Sequence, residues 1–381
     1  GEIVATSPLV KQIRQEMPDR PILVSAFTVG GYNMAKQIIP EADAIIFFPL
    51  DLPFVAESMV KRIHPGIFMP VETELWPNFL RAIRERHIPV MMVNGRISEK
   101  SVKTYRYLYG IWDDMLSTVS RFCMQSSIDA DYIYSLGADK NKIFVTGNTK
   151  FDQTYAEVTP EDYARYKEEL GLNDSYPIIM AGSTHPGEEK ALFDAFKKVR
   201  EKYADARLVI APRKTNRADE ISKLASSYGY ETGYRSKMLE NPNLRKKYPV
   251  VLLDTIGELG RIYAVGDVVF VGGSLCKTGG HNVLEPAAHA KPILVGPNMQ
   301  NFKDSYSLLS KVGACKMVNN VAELANEMID IIGNDERREK MGAASLQVIK
   351  ENRGADIRSI HYLKELLDLT SVPSREYASY P

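Results

Sequence analysis

Cysteine is scarce in this sequence, with three residues, Cys123, Cys276 and Cys315, widely spaced and odd in number. That excludes a disulfide framework and a zinc-ribbon spacing, and it points to a reducing compartment. Six scattered histidines give no HExxH or comparable pattern, so no metal site is expected. Net charge is missing as well. The 48 basic residues are matched by 48 acidic ones, which argues against a nucleic-acid-coating protein. No stretch approaches the ~18 consecutive apolar residues of a membrane helix, and no signal-peptide pattern is present. Solenoid-period repeats, low-complexity segments, the GxxxxGK[ST] phosphate loop and the GxGxxG fingerprint are all absent.

What is present is the composition of a soluble globular protein, 44% hydrophobic and 25% charged. At 381 residues the chain is too long for one ordinary core, so two domains are expected. Short apolar runs alternate with amphipathic segments. The first series is 21–29, 43–48, 66–71, 88–94 and 121–125, and the second is 177–182, 207–212, 250–254, 267–273 and 292–296. Runs of this kind are strands buried on both faces of a parallel sheet. The fold class is therefore α/β, with two doubly wound, Rossmann-like domains facing across a cleft where a ligand would lie. The expected division is 1–155, 156–351 and a C-terminal helix and tail, 352–381, that packs back toward the first domain. Thr159-Pro160-Glu161 reads as the N-cap and first turn of the helix that opens the second. The first residues, GEIVATSPLV, are already helical in spacing, with Ser7 and Pro8 as a first turn or brief irregularity and no strand ahead of them.

The most informative stretch is VFVGGSLCKTGGHNVLEPAAHAKPILVGP, 269–297. A strand runs into Gly272-Gly273-Ser274, then a loop with Gly279-Gly280, then a helix expected from about Asn282. Such glycines let backbone approach a ligand, and the free amides of the next helix attract an anion. Glu285 is placed to hold the hydroxyls of a ribose, or equally to complete a capping box with Asn282. His281 either donates to a phosphate or finishes the turn, and His289 is read as structural. Arg213-Lys214, the Asp254–Glu258 loop and Gly182-Ser183-Thr184-His185 also stand at strand ends. Four such loops in one domain suggest nucleotide binding. Asp129-Ala130-Asp131 is a nominal DxD, read here as a solvent-facing part of a helix.

VETELWPN (71–78), GNTKFD (147–152), DTIGEL (254–259) and 272–304 resemble the 3-deoxy-D-manno-octulosonic acid (Kdo) transferases of lipopolysaccharide synthesis. The resemblance implies the GT-B fold and transfer of Kdo from CMP-Kdo to the lipid A precursor, lipid IVA, inverting and without metal or other cofactor. It implies CMP contacts at Pro212 and Arg213, at Ile256, Gly257 and Glu258, and at Asn282, Val283, Leu284 and Glu285. Glu72 and Lys150 would stabilise the transition state. Glu2, in Gly1-Glu2 ahead of Pro8-Leu9-Val10, matches the family's catalytic base. The residues and strand that precede that base in the family, and its N-terminal membrane anchor, are expected to be absent. Lys214, Pro186 and FTVGG (27–31) depart from the family pattern.

The implied partners are CMP-Kdo and an anionic lipid acceptor at the cytoplasmic face of the bacterial inner membrane, with no nucleic acid. Residues 81–106 hold seven basic residues, including Lys100, Lys103 and Arg106, against two acidic ones, and Tyr105, Tyr107, Tyr109 and Trp112 lie close by. Basic charge beside interfacial aromatics suits such a surface. The alternatives are another GT-B nucleotide-sugar enzyme, including a UDP-sugar epimerase, and a non-catalytic nucleotide-binding protein.

Overall fold

The computed structural model describes residues 2–97, 101–102, 109–152 and 158–369. Two compact units result: Gly1–Thr154 with Asn352–Pro381, and Tyr155–Glu351.

The first unit opens on the helix Glu2–Glu16, which runs straight through Pro8. Pro8 therefore breaks nothing, and it is buried beside Leu9 and Val10. The strands β1 (Leu23–Ala26) and β2 (Ala44–Phe47) pair in parallel, and so do β3 (Met91–Gly95), β4 (Arg121–Met124) and β5 (Ile143–Val145) in a second sheet. The expected strand over 66–71 is reduced to two isolated bridges, Phe68 to Val90 and Val71 to Val93. Pro70 lacks an N–H and interrupts the ladder there. The helix Ala355–Leu369 belongs to this unit, and its Ile360, Leu363 and Leu366 share a core with Leu9, Met91, Val93 and Cys123. Asp152 anchors its start by accepting from the amides of Gly354 (2.5 Å) and Asp356 (2.9 Å).

The second unit is one seven-stranded parallel sheet. Its strands are β6 (Ile178–Thr184), β7 (Arg207–Pro212), β8 (Thr232–Tyr234), β9 (Val250–Leu252), β10 (Val268–Val271), β11 (Ile293–Val295) and β12 (Cys315–Met317), in the order 12-11-10-6-7-9-8. Order reverses beside the first strand, β6, so the loops after β6 and β10 meet at the switch point where doubly wound sheets bind ligands. The central strands are buried along their length, which is why they read as unbroken apolar runs rather than alternating ones. Thr159 caps the helix Pro160–Glu169 in a reciprocal capping box with Asp162. Among the described residues no helix is long and apolar enough to cross a membrane.

Candidate active site

In the first unit three acidic side chains and a lysine gather around the ends of β3 and the first helix. Glu72 follows the bridge at Val71, and its amide bonds to the Val93 carbonyl (3.0 Å). That pairing holds Glu72 in the left-handed region, φ +55°, a conformation few side chains adopt without support. Its Oε1 accepts from Lys150 Nζ at 3.2 Å, with both side chains half-buried. The neighbouring Glu74 carboxyl is pushed up, first by partial burial and then by the charge of Glu2, which stands close enough to repel it. Glu2 is the first residue of its helix, and its carbonyl accepts from the Thr6 hydroxyl (2.8 Å). Glu2, Glu72 and Lys150, picked from three separate motifs, thus share one locality.

An apolar shelf adjoins these charges. Phe27 ends the β1 edge and stacks on Trp76, ring centres 5.4 Å apart, and Phe48 packs on the same indole. Phe27 and, in the segments after β1 and β2, Val29, Leu50 and Phe54 are 53–70% exposed. Signals for this shelf were present in FTVGG and in the loop after β2, but an apolar residue at a strand end looks like core until its exposure is known.

The basic stretch contributes less than its composition suggests. Arg84 is paired with Asp114, Arg81 with Glu85 and Arg86 with Glu57, while Trp112 is buried in the core. Lys100, Lys103, Tyr105, Arg106 and Tyr107, with the side chain of Tyr109, lie outside the described residues. Asp129 does not simply face solvent: it accepts from the Ile97 amide (2.9 Å) and from the Ser126 hydroxyl at the cap of its helix. Among the described residues no group of three potential metal ligands occurs.

In the second unit the motif segments converge at the carboxyl ends of β6, β7, β9 and β10. Pro212 closes β7, and Arg213 beyond it is exposed, with its amide bonded to Thr184 (3.0 Å). Glu285 is half-buried, and burial raises its carboxyl against the opposing pull of Asn282 and Arg213. It lies near Gly260, where an added Cβ would stand 3.8 Å from Glu285 Oε2, so the segments around 254–262 and 282–285 meet. Val283 and Leu284 are buried, which leaves only their backbone to touch a ligand.

The helix begins at Leu284 rather than Asn282 and spans only Leu284–Ala288. Asn282 Oδ1 accepts the Leu284 amide (3.0 Å), while its side-chain amide donates to Glu285 Oε1 (3.2 Å), so the reciprocal capping box does not form. His289 is structural, as expected, with Nε2 2.6 Å from the Gly260 carbonyl. Ile256 is 83% exposed and Gly257 has φ +90°, together forming an open tip. Glu258, by contrast, is occupied. Burial would raise its carboxyl, but Arg235 and the Thr255 hydroxyl (2.6 Å) hold it below the usual range. Arg235 is itself buried, bonding Glu169 as well.

The largest departure from the sequence reading is Glu188. Its buried carboxylate accepts four backbone amides: His185 (2.9 Å), Gly273 (2.7 Å), Ser274 (3.0 Å) and Leu275 (2.9 Å). The amides of Gly273, Ser274 and Leu275 are therefore not open to an anion, because a carboxylate of the protein already fills them. Nothing in the string GEEK marks Glu188 as different from an ordinary first-turn acid. Next to it, His185 and His281 place their Nε2 atoms 2.8 Å apart.

Comparison with known proteins bears on family and fold. A family model described as "3-Deoxy-D-manno-octulosonic-acid transferase (kdotransferase)" matches residues 1–153. The 3-deoxy-D-manno-octulosonic acid transferase of Haemophilus influenzae is 32% identical over 97% of this chain and 85% of its own length. That of Chlamydophila psittaci is 28% identical over 87% and 75%. Among solved structures, UDP-GlcNAc 2-epimerase from Neisseria meningitidis superposes with a TM-score of 0.62 at 14% identity, covering 96% of this chain and 97% of that one. At that identity the likeness speaks for fold, which is GT-B-like. On the 32% identity to the Haemophilus influenzae transferase over 97% of its length, the chain belongs to the 3-deoxy-D-manno-octulosonic acid transferase family.

Proposed function

We propose that this protein transfers Kdo from CMP-Kdo to a lipid A precursor, lipid IVA, inverting the anomeric centre. The observation that carries the acceptor assignment is the apolar shelf of Phe27, Val29, Leu50 and Phe54 beside the carboxylates of the first unit. An acylated, phosphorylated sugar offers both an apolar body for the shelf and a hydroxyl for a base. A nucleotide-sugar enzyme acting on a free sugar has no use for such a surface.

Glu2 takes the acceptor hydroxyl proton as the new C–O bond forms. Lys150, oriented by Glu72, offsets negative charge on the donor. The second unit holds CMP: Arg213 for the phosphate, the backbone of 256–257 and 282–284 for the base and ribose, and Glu285 for the ribose hydroxyls. The Glu258 side chain is tied to Arg235 and Thr255, so its part is to hold the 255–258 loop in shape rather than to reach the ligand. CMP leaves readily as an anion, so no general acid is needed. The work is done at the cytoplasmic face of the inner membrane.

Incubation with CMP-Kdo and lipid IVA, followed by mass spectrometry, tests the reading. A product heavier by Kdo is expected, and stabilisation of the protein by UMP or UDP but not by CMP overturns it. Replacing Val29, Leu50 and Phe54 together by Ser is expected to raise the acceptor KM ~10-fold or more through lost apolar burial, at unchanged CMP affinity. Sedimentation with anionic liposomes should fall in parallel; binding and KM equal to wild type would remove the shelf from the acceptor site.

A further inference from the structure

We propose that His185 and His281 form a proton-sharing pair that receives the donor phosphate, with His281 touching the phosphate oxygens and His185 acting as its positioning residue. This rests on the reading of the second unit as a CMP site.

Part of the backbone at this edge is already spoken for. The amides of Gly273, Ser274 and Leu275 are consumed by Glu188, and that of Leu284 by Asn282. The five-residue helix Leu284–Ala288 is too short to draw an anion by its dipole. Among the side chains at this edge, Arg213 and the two imidazoles have N–H groups suited to a phosphate. They follow β6 and β10, the adjacent central strands at the switch point.

The geometry of the pair is specific. Two Nε2 atoms at 2.8 Å require one hydrogen between them, so one ring donates while the other accepts. The rings are nearly parallel, 10° apart with centres at 5.1 Å. Gly273 has φ +68°, and an added Cβ there would meet His281 Cδ2 at 2.8 Å, so the loop seats the ring closely. Among the described residues neither Nδ1 has a hydrogen-bond partner. In the neutral pair the ring accepting at Nε2 carries its hydrogen on Nδ1, and once a proton is gained the donating ring also offers Nδ1–H to a ligand while its Nε2–H stays on its neighbour.

The charged groups around the pair are known. Arg213, from the end of β7, acts on His281 and also on Glu285 of the helix Leu284–Ala288. Glu188, from the helix Glu188–Lys202, is spent on backbone amides, and Glu189 beside it is bound by Arg217 (2.7 Å) and the Thr184 hydroxyl (2.9 Å). Burial first, then His185 and Arg213, pull His281 down to about 4, so its imidazole is neutral at pH 7. A phosphate placed among Arg213 and the pair reverses that balance. One proton is taken from solvent onto the pair, giving an imidazolium that donates from Nδ1 to phosphate and from Nε2 to His185. No bond of the donor is broken in this step, and nothing is oxidised or reduced.

Calorimetric titration with CMP and with cytidine, in two buffers of different ionisation enthalpy, reads both affinity and proton uptake. Wild type is expected to take up at least ~0.5 proton more per CMP than His281→Gln, where the titration of CMP itself cancels. His281→Gln should weaken CMP ~10-fold or more, the loss of a charged hydrogen bond, yet leave cytidine unchanged. His185→Gln should reduce the uptake with a smaller loss of affinity. A measurement on wild type alone needs no variant. From pH 7 to 8.5, above the second phosphate ionisation near 6, CMP affinity should fall ~3- to 10-fold while cytidine stays flat. A flat CMP profile, equal uptake in wild type and His281→Gln, or equal weakening of CMP and cytidine overturns the proposal while leaving the CMP site standing. Failure of wild type to bind CMP at all overturns that site, and the proposal with it.

Discussion

Glu2→Gln is expected to lower kcat by ~10²- to 10⁴-fold, the range for removing a general base, with CMP affinity unchanged. The carboxylate sits at the start of the helix Glu2–Glu16, beside Glu74 and in the neighbourhood of the Glu72–Lys150 pair. Glutamine keeps the size and the helix but cannot accept a proton. The Thr6 bond to the Glu2 carbonyl uses backbone only, so it survives the change. Steady-state assay with CMP-Kdo and lipid IVA, beside CMP titration, checks both halves. If Glu2→Gln turns over as fast as wild type, the base lies elsewhere, and Glu74→Gln is then the variant to compare. A fall in CMP affinity instead of kcat would mean that Glu2 shapes the fold rather than moving the proton.

Glu188→Ala is expected to destabilise the second unit on the order of 3–5 kcal/mol. Four amides lose their acceptor at once, and each buried unpaired donor costs about 1–3 kcal/mol before water relieves part of it. Glu188 is 1% exposed, so little water reaches them without the loop opening. Glu188→Gln should fall between, because its one oxygen still accepts while its NH₂ faces amide donors. Urea unfolding followed by a probe in the second unit measures this, and CMP affinity should drop in step as the 272–275 loop loosens. A cost below about 1 kcal/mol would show that the loop holds its shape without the carboxylate.

These two residues differ in how far the sequence announces them. Glu2 is singled out by resemblance alone, since an acid at a helix start is otherwise unremarkable. Glu72 and Lys150 were legible as members of two motifs, although nothing local tells that they touch across 78 positions of chain. Arg235 carries no sequence signal: RSKMLE looks like an exposed helix, yet the arginine is buried between Glu169 and Glu258. Among strands, the long apolar runs were readable because both faces are covered. β5, β8 and β12 were not, being three residues long and only part-buried, whereas the equally short β9 and β11 are buried throughout and stand out as apolar runs.

Local pattern thus accounts for the alternation of strands and helices, the parallel sheets and the caps such as Thr159, because each depends on neighbours within a few residues. Motifs with their glycines and acids single out the strand-end loops as the candidate functional edge. What occupies those loops depends instead on partners distant in the chain. Glu188 meets Gly273 from 85 residues away, His185 meets His281 from 96, and Phe27 finds Trp76 rather than the core. Burial and pairing of this kind turn a presumed anion nest into a filled one and put a pair of imidazoles in its place. They arise only when the sheet order brings separate strand ends side by side.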